Sequence, residues 1–279
     1  MRRTIPILAA VMLTACGGAD GNATAEAPSA PQFEMAAGAA PDAQLAHGER
    51  MARVLGCMGC HGDDLTGGPW IEEPALAVLF TSNLTRALPG YSDAQLEQAL
   101  REGTRPDGSD LWEMPSSLFT QLSEADMAPL IAWLRTVPPA GEAHPRMVLG
   151  PAGRQMIDAG QVKPAAQHVR EEREQGPPAL DGSHDWARYM VRATCAECHG
   201  MNLQGGPPPA PGAAARPDLV IAGAYSRDEF RQLLRTGAAT GGRQLALMAE
   251  VARGRYAHLT DREIDAIHAY LVARANRPQ

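Results

Sequence analysis

Aromatic side chains are scarce in this 279-residue chain: Phe, Tyr and Trp make up 5% of it, against an ordinary 44% of apolar residues. That argues against two large aromatic-packed cores, although a small domain folded around a bound apolar group needs fewer aromatics of its own. Positive charge is also short. Twenty-five Lys and Arg face 32 Asp and Glu, a formal net charge of −7, which argues against nucleic acid as a partner. No stretch approaches 18 uninterrupted apolar residues, so no segment reads as a membrane-spanning helix. No cysteine is spare for a disulfide, because four of the five belong to a repeated motif.

That motif organises the chain. Cys57-Met58-Gly59-Cys60-His61 and Cys195-Ala196-Glu197-Cys198-His199 both read C-x-x-C-H, the attachment signature of c-type haem. The agreement continues through C-H-G-x-x-L-x-G-G-P, from Cys60 to Pro69 and from Cys198 to Pro207, at a constant spacing of 138 residues. In each copy the two thiols are expected to form thioethers with a porphyrin, and His61 or His199 to lie beneath the iron as proximal ligand. Two c-type haems are therefore expected, held by Cys57, Cys60, Cys195 and Cys198.

The fifth cysteine lies near the start. Arg2 and Arg3 precede a short apolar run, Ile5 to Leu13, and Leu13-Thr14-Ala15-Cys16 matches the bacterial lipobox. Residues 1–15 thus read as a lipoprotein signal peptide, with Cys16 left first and lipid-modified. Residues 16–41, rich in Ala, Gly and Pro, read as a flexible tether. This predicts attachment by lipid to a bacterial membrane, on its periplasmic side.

Helical patterns then occur twice in the same order. Residues 42–137 carry a leading helix into the first motif and a middle helix opened by the capping box Ser92-x-x-Gln95 and closed by Gly103. A terminal helix opens at Ser123, with Asp126 at its third position. Residues 184–275 repeat this with Ser226-x-x-Glu229, Gly237 and Thr260-x-x-Glu263. Residues 138–183, broken by Pro and Gly, read as a linker with one short helix around Ala165–Glu174. The order of elements resembles the class I cytochrome c fold. The resemblance implies an all-α protein of two tandem domains, each a small helical fold around one covalently bound haem.

Twelve methionines compete for the sixth iron position. Met58 and Met201 are chained to the proximal side, whereas Met51, Met127 and Met190 lie on helices and read as core. Met114 and Met248 are related by the spacing of 134 that also aligns the middle helices, and both are expected in a loop before the terminal helix. They are the candidate distal ligands. Met114 is followed by Pro115, as in many members of the family, and Met248 by Ala249. His47, His144, His168, His184, His258 and His268 have no counterpart in the other repeat and read as surface or helix polar groups. His258 is the most plausible rival ligand. The four tryptophans read as haem-packing or core groups.

Asn83-Leu84-Thr85, Tyr91-Ser92, Leu100-Arg101-x-Gly103 and Met114-Pro115 are similar to the cytochrome c subunits of membrane-bound alcohol and gluconate dehydrogenases, which carry three haem domains where this chain has two motifs. The resemblance implies a non-catalytic one-electron carrier, taking electrons from a periplasmic dehydrogenase and passing them to an oxidase or another cytochrome of the respiratory chain. The alternative is a dihaem redox enzyme of the peroxidase or thiosulfate-oxidising type, which needs one iron that opens.

Overall fold

The leading helix α1, Pro41–Val54, starts with proline at its first turn and Asp42 beside it, both suited to a helix N-terminus. Its apolar face buries Met51, Ala52 and Val54. Gly48 on the same face lets the chain approach so closely that a Cβ there would lie 2.0 Å from the carbonyl oxygen of Pro129. Pro129 belongs to a later helix, α6 (Glu124–Leu134), and the α1–α6 crossing is the scaffold of the first half. The computed structural model describes residues 30–35, 38–208, 213 and 215–277. Cys16, the signal peptide and most of the expected tether lie outside them.

After α1 come α2 (Cys57–His61), strands β1 (Gly68–Glu73) and β2 (Ala77–Thr81), and helices α3 (Leu84–Ala87), α4 (Asp93–Glu102), α5 (Ser116–Phe119) and α6 (Glu124–Leu134). Strand β3 (Val148–Leu149) and helices α7 (Pro151–Asp158) and α8 (Ala165–Glu172) follow. The second half consists of α9 (Asp185–Thr194), α10 (Ala196–His199), α11 (Arg227–Thr236), α12 (Ala246–Gly254) and α13 (Asp261–Ala275). The capping boxes at Ser92, Ser226 and Thr260 all form, and Gly103 and Gly237 end their helices in the left-handed conformation. Ser123 opens α6 differently. Its hydroxyl turns to the Asp126 carboxylate rather than to a backbone N–H.

The fold is mostly helical but not all-α, which corrects the expectation. A three-stranded antiparallel sheet in the order β1-β2-β3 follows the first motif, with Gly68 opposite Thr81 and Ala77 opposite Leu149. Pro69 and the bulge between Pro69 and Ile71 hid β1 from the sequence, since proline breaks the alternation that marks a strand.

Residues 138–183 are packed onto the first half rather than free. Ala165, Ala166 and Val169 are buried. Asn83 donates to the carbonyls of Ala140 and Glu142 at 2.8 and 2.9 Å. The short helix expected near Ala165–Glu174 is α8.

Pro31–Gln279 forms one compact unit, and a single apolar cluster runs from Met51, Leu100 and Leu130 into Met190, Phe230 and Ile267. Polar bonds cross the seam between the halves. The Asp126 carboxylate, at 0% exposure, accepts hydrogen bonds from the Tyr189 hydroxyl at 2.5 Å, His47 Nε2 at 2.8 Å and the Phe33 N–H at 2.9 Å. Glu263, equally buried, accepts from Arg50 at 2.9 Å and the Glu34 N–H at 2.7 Å. Asp126 and Glu263 occupy the same third position of their helices, α6 and α13, where the helix dipole favours negative charge. Phe33 and Glu34 are therefore strapped between the halves, and Phe33 is fully buried. No described helix is long and apolar enough to cross a membrane.

Candidate haem-attachment site

Each C-x-x-C-H segment is short helix bracketed by turns. Gly56, in the left-handed region at φ 86°, swings the chain from α1 into α2. Beyond each histidine the two copies fold alike. Leu65 and Leu203 share φ near 60° and are buried, and each N–H closes back on the glycine after the histidine, at 3.1 Å to Gly62 and 2.9 Å to Gly200. Next, the N–H groups of Gly67 and Gly205 donate to the carbonyls of His61 and His199 at 2.7 and 2.8 Å. Both glycines have positive φ, and a Cβ would strike the carbonyl oxygens of Thr81 at 2.3 Å and Arg216 at 2.0 Å. The repeated G-x-x-L-x-G pattern is thus a loop that closes on the histidine's own backbone.

The imidazoles are oriented from behind. His61 Nδ1 donates to the Ser82 carbonyl at 2.8 Å, and His199 Nδ1 to the Pro217 carbonyl at 2.8 Å. With Nδ1 carrying the proton, Nε2 keeps its lone pair, which is the arrangement of a metal-ligating histidine. Burial lowers both imidazole pKa values against the opposing pull of those carbonyls, which keeps the rings neutral and able to ligate. Burial pushes the Cys57 thiol up to about 11 and raises Cys60, Cys195 and Cys198 as well. Among the described residues no group of three or more His, Cys, Asp or Glu side chains is gathered for a metal ion.

Cys57, Cys60, His61 and Met114 line one cleft, which encloses about 1310 Å³ of atom-free space including the solvent at its mouth. Leu79, Phe80, Leu100, Phe119 and Leu134 make its walls apolar, Trp70 and Trp112 join them, and Arg105 supplies a cation. A haem fits this donor set: two protonated thiols, an oriented imidazole, a thioether, apolar walls and one cation for propionates.

Met114 lies in an irregular loop after Glu113, whose φ is 59°. The loop is fastened by the Ser116 N–H to the Met114 carbonyl at 2.9 Å and by the Ser116 hydroxyl to Ala99 at 3.2 Å. Met248 was expected in a loop too, but it falls in the first turn of α12. Ala249, in place of proline, continues the helix and packs against Gly237, where a Cβ would lie 2.4 Å from its own. Met248 packs on the shared core, as does Cys195.

Met147 also lines the first cleft, and several other methionines and histidines find structural partners. Met51, Met127 and Met190 are fully buried, and the Met201 sulfur accepts from Arg192 at 3.1 Å. His144 donates to Thr66 and stacks on Phe80, and His268 reaches the Tyr225 carbonyl and stacks on Phe230. His258, the rival ligand, lies beside α1, where its carbonyl accepts from Arg50 and its ring's neighbours are Arg53 and Glu49.

Residues without a counterpart in the other repeat escaped the sequence reading. Arg255, Tyr256 and Glu197 join the two motif regions, and Phe33 and Glu34 join the halves. The repeat alignment that singles out Met114 and Met248 is blind to groups that occur once.

These features define a helical protein shaped to hold a flat, covalently attached redox group through paired thiols and an imidazole. The cytochrome c family model matches residues 45–138 and 187–274, and the chain belongs to the cytochrome c family. It is 30% identical over 258 residues to the fructose dehydrogenase cytochrome subunit of Gluconobacter japonicus, an alignment covering 81% of this chain and 52% of that one. It is 26% identical to the alcohol dehydrogenase (quinone) cytochrome c subunit of Gluconacetobacter polyoxogenes, covering 87% and 60%. The chain therefore spans about half to three-fifths of these subunits. A diheme cytochrome c-type protein of Cereibacter sphaeroides is 28% identical, covering 82% of this chain and 85% of its own length.

Proposed function

We propose that the protein is a dihaem electron carrier, with Cys57, Cys60 and His61 holding one haem under Met114, and Cys195, Cys198 and His199 holding the other under Met248. The observation that carries this reading is the doubling of one arrangement. Both histidines donate Nδ1–H to a backbone carbonyl and both have a glycine N–H on their own carbonyl. Bound haem supplies reversible one-electron exchange at iron and, ligated by His and Met, leaves no position open for substrate. The chain's part is to fix the imidazole tautomer, to hold the thioether sulfur and to keep water from the apolar walls.

The similarity to dehydrogenase cytochrome subunits supports redox-protein partners of that kind, and we propose a dehydrogenase as donor and an oxidase or another cytochrome as acceptor. We further propose lipid attachment through Cys16 on the periplasmic side of a bacterial membrane, in domains bounded at 42–137 and 184–275 with residues 138–183 between them. The test is the reduced-protein spectrum with and without carbon monoxide, beside a pyridine haemochrome assay. Two haems per chain with no rapid carbon monoxide binding are expected. Stoichiometric binding at one haem would overturn the closed carrier in favour of a dihaem enzyme.

A further inference from the structure

Two consecutive residues after α12 reach both haem-attachment motifs. Arg255, its side chain 12% exposed, donates through Nη2 to the Leu55 carbonyl at 3.0 Å and through Nε to the Val54 carbonyl at 3.3 Å. These are the last residues before Gly56 and Cys57. Its Nη1 donates to Glu197 at 2.6 Å, and Glu197 sits inside the second motif while also lining the cleft of the first. The neighbouring Tyr256, buried, donates its hydroxyl to the Thr194 carbonyl at 2.8 Å, one residue before Cys195.

The chemistry suits the place. The last carbonyls of α1 have no partner within the helix and carry the negative end of its dipole. A planar, always-charged fork meets two carbonyls and a carboxylate at once, which an ammonium point charge does not. Gly56 is shaped to admit it, since a Cβ there would lie 2.6 Å from the guanidinium carbon. At the spacing of 137 that relates Ser123 to Thr260, Leu118 and Phe119 stand where Arg255 and Tyr256 do, so neither the guanidinium nor the hydroxyl is repeated and the device serves both motifs once.

We propose that Arg255 and Tyr256 form a clamp that locks the two attachment motifs to one another and so fixes the haem-to-haem geometry for electron passage within the chain. The proposal rests on the two-haem reading. The electron lost by one iron is the electron gained by the other, with no bond made and no proton released. Both residues are positioning residues, and removing the Arg255 guanidinium would leave the Glu197 carboxylate unpaired beside both motifs, a negative charge that favours the oxidised state of a haem held there.

The experiment uses the full haem-loaded chain and the variants Arg255→Ala, Arg255→Lys and Tyr256→Phe. Haem content comes first: one haem per wild-type chain would remove the two-haem reading, and the clamp with it. With two haems present, Arg255→Ala is expected to raise amide hydrogen exchange at least tenfold over both Leu55–Cys57 and Thr194–Cys198. It should also slow inter-haem transfer after pulse reduction at least tenfold and shift both midpoint potentials downward. Arg255→Lys should keep the potentials while losing the exchange protection, and Tyr256→Phe should loosen Thr194–Cys198 alone. Unchanged exchange and transfer in fully loaded Arg255→Ala would overturn the clamp. If that variant fails to load, unchanged behaviour of the other two would do so.

Discussion

Met114 is held on a loop rather than a helix, and its Ser116 fastening ties that loop to α4. Met147 also lines the first cleft, but Met114 is the methionine that the repeat spacing singles out, and replacing it by Ala removes the proposed axial thioether. The expected outcome is loss of the weak sulfur-to-iron absorption at the red end of the spectrum for one haem, with the other unaffected. A spectrum identical to wild type would show another side chain in that position. A second residue-scale prediction concerns stability. Glu263 is wholly buried, and its partner Arg50 has a side chain only 20% exposed. Glu263→Ala leaves that guanidinium and two backbone N–H groups without their acceptor, which costs about 3–5 kcal/mol when a buried pair is broken from one side. Denaturant midpoints measure it, and a loss below about 1 kcal/mol would mean that water replaces the carboxylate.

The elements divide cleanly into those written in the sequence and those that are not. Capping boxes at Ser92, Ser226 and Thr260 announced their helices because a cap is a local device, settled within four residues. The thiols and histidines were legible for the same reason. The sheet was not, because β1 contains Pro69 and β2 is completed on its other edge by β3, about 70 residues away. Nor was the helical setting of Met248, which depends on Ala249 meeting Gly237 across the turn between α11 and α12. The loop after each histidine lies between these cases: its glycines were visible, but their purpose needed coordinates. Gly67→Ala and Gly205→Ala each force a Cβ against a carbonyl in a left-handed conformation. Each is expected to cost at least about 1–3 kcal/mol and to lower haem incorporation at its own motif. Thermal melts and haem counts check this, and equal loss at both motifs would contradict a local origin.

At the scale of the whole molecule, the two repeats share a core and a seam of buried carboxylates, so unfolding is expected as one transition rather than two. Phe33→Ala empties a fully buried site in that seam, for a cost of about 3–5 kcal/mol. Calorimetry of the loaded chain tests both statements, and two separate transitions in the unmodified protein would show the halves to be independent. Cys16→Ser is expected to release the protein from membranes, which fractionation reads directly. The strap formed by the residues before α1 carries one more consequence. Two consecutive N–H groups serve different halves: that of Phe33 donates to Asp126 and that of Glu34, at a bend, to Glu263. The seam therefore counts residues. A sequence of variable length is tolerable ahead of Pro31, but a single residue inserted between Phe33 and Glu34 turns one of those N–H groups away from its carboxylate. Insertions and deletions among relatives that keep this seam should pile up on one side of Pro31 and vanish on the other.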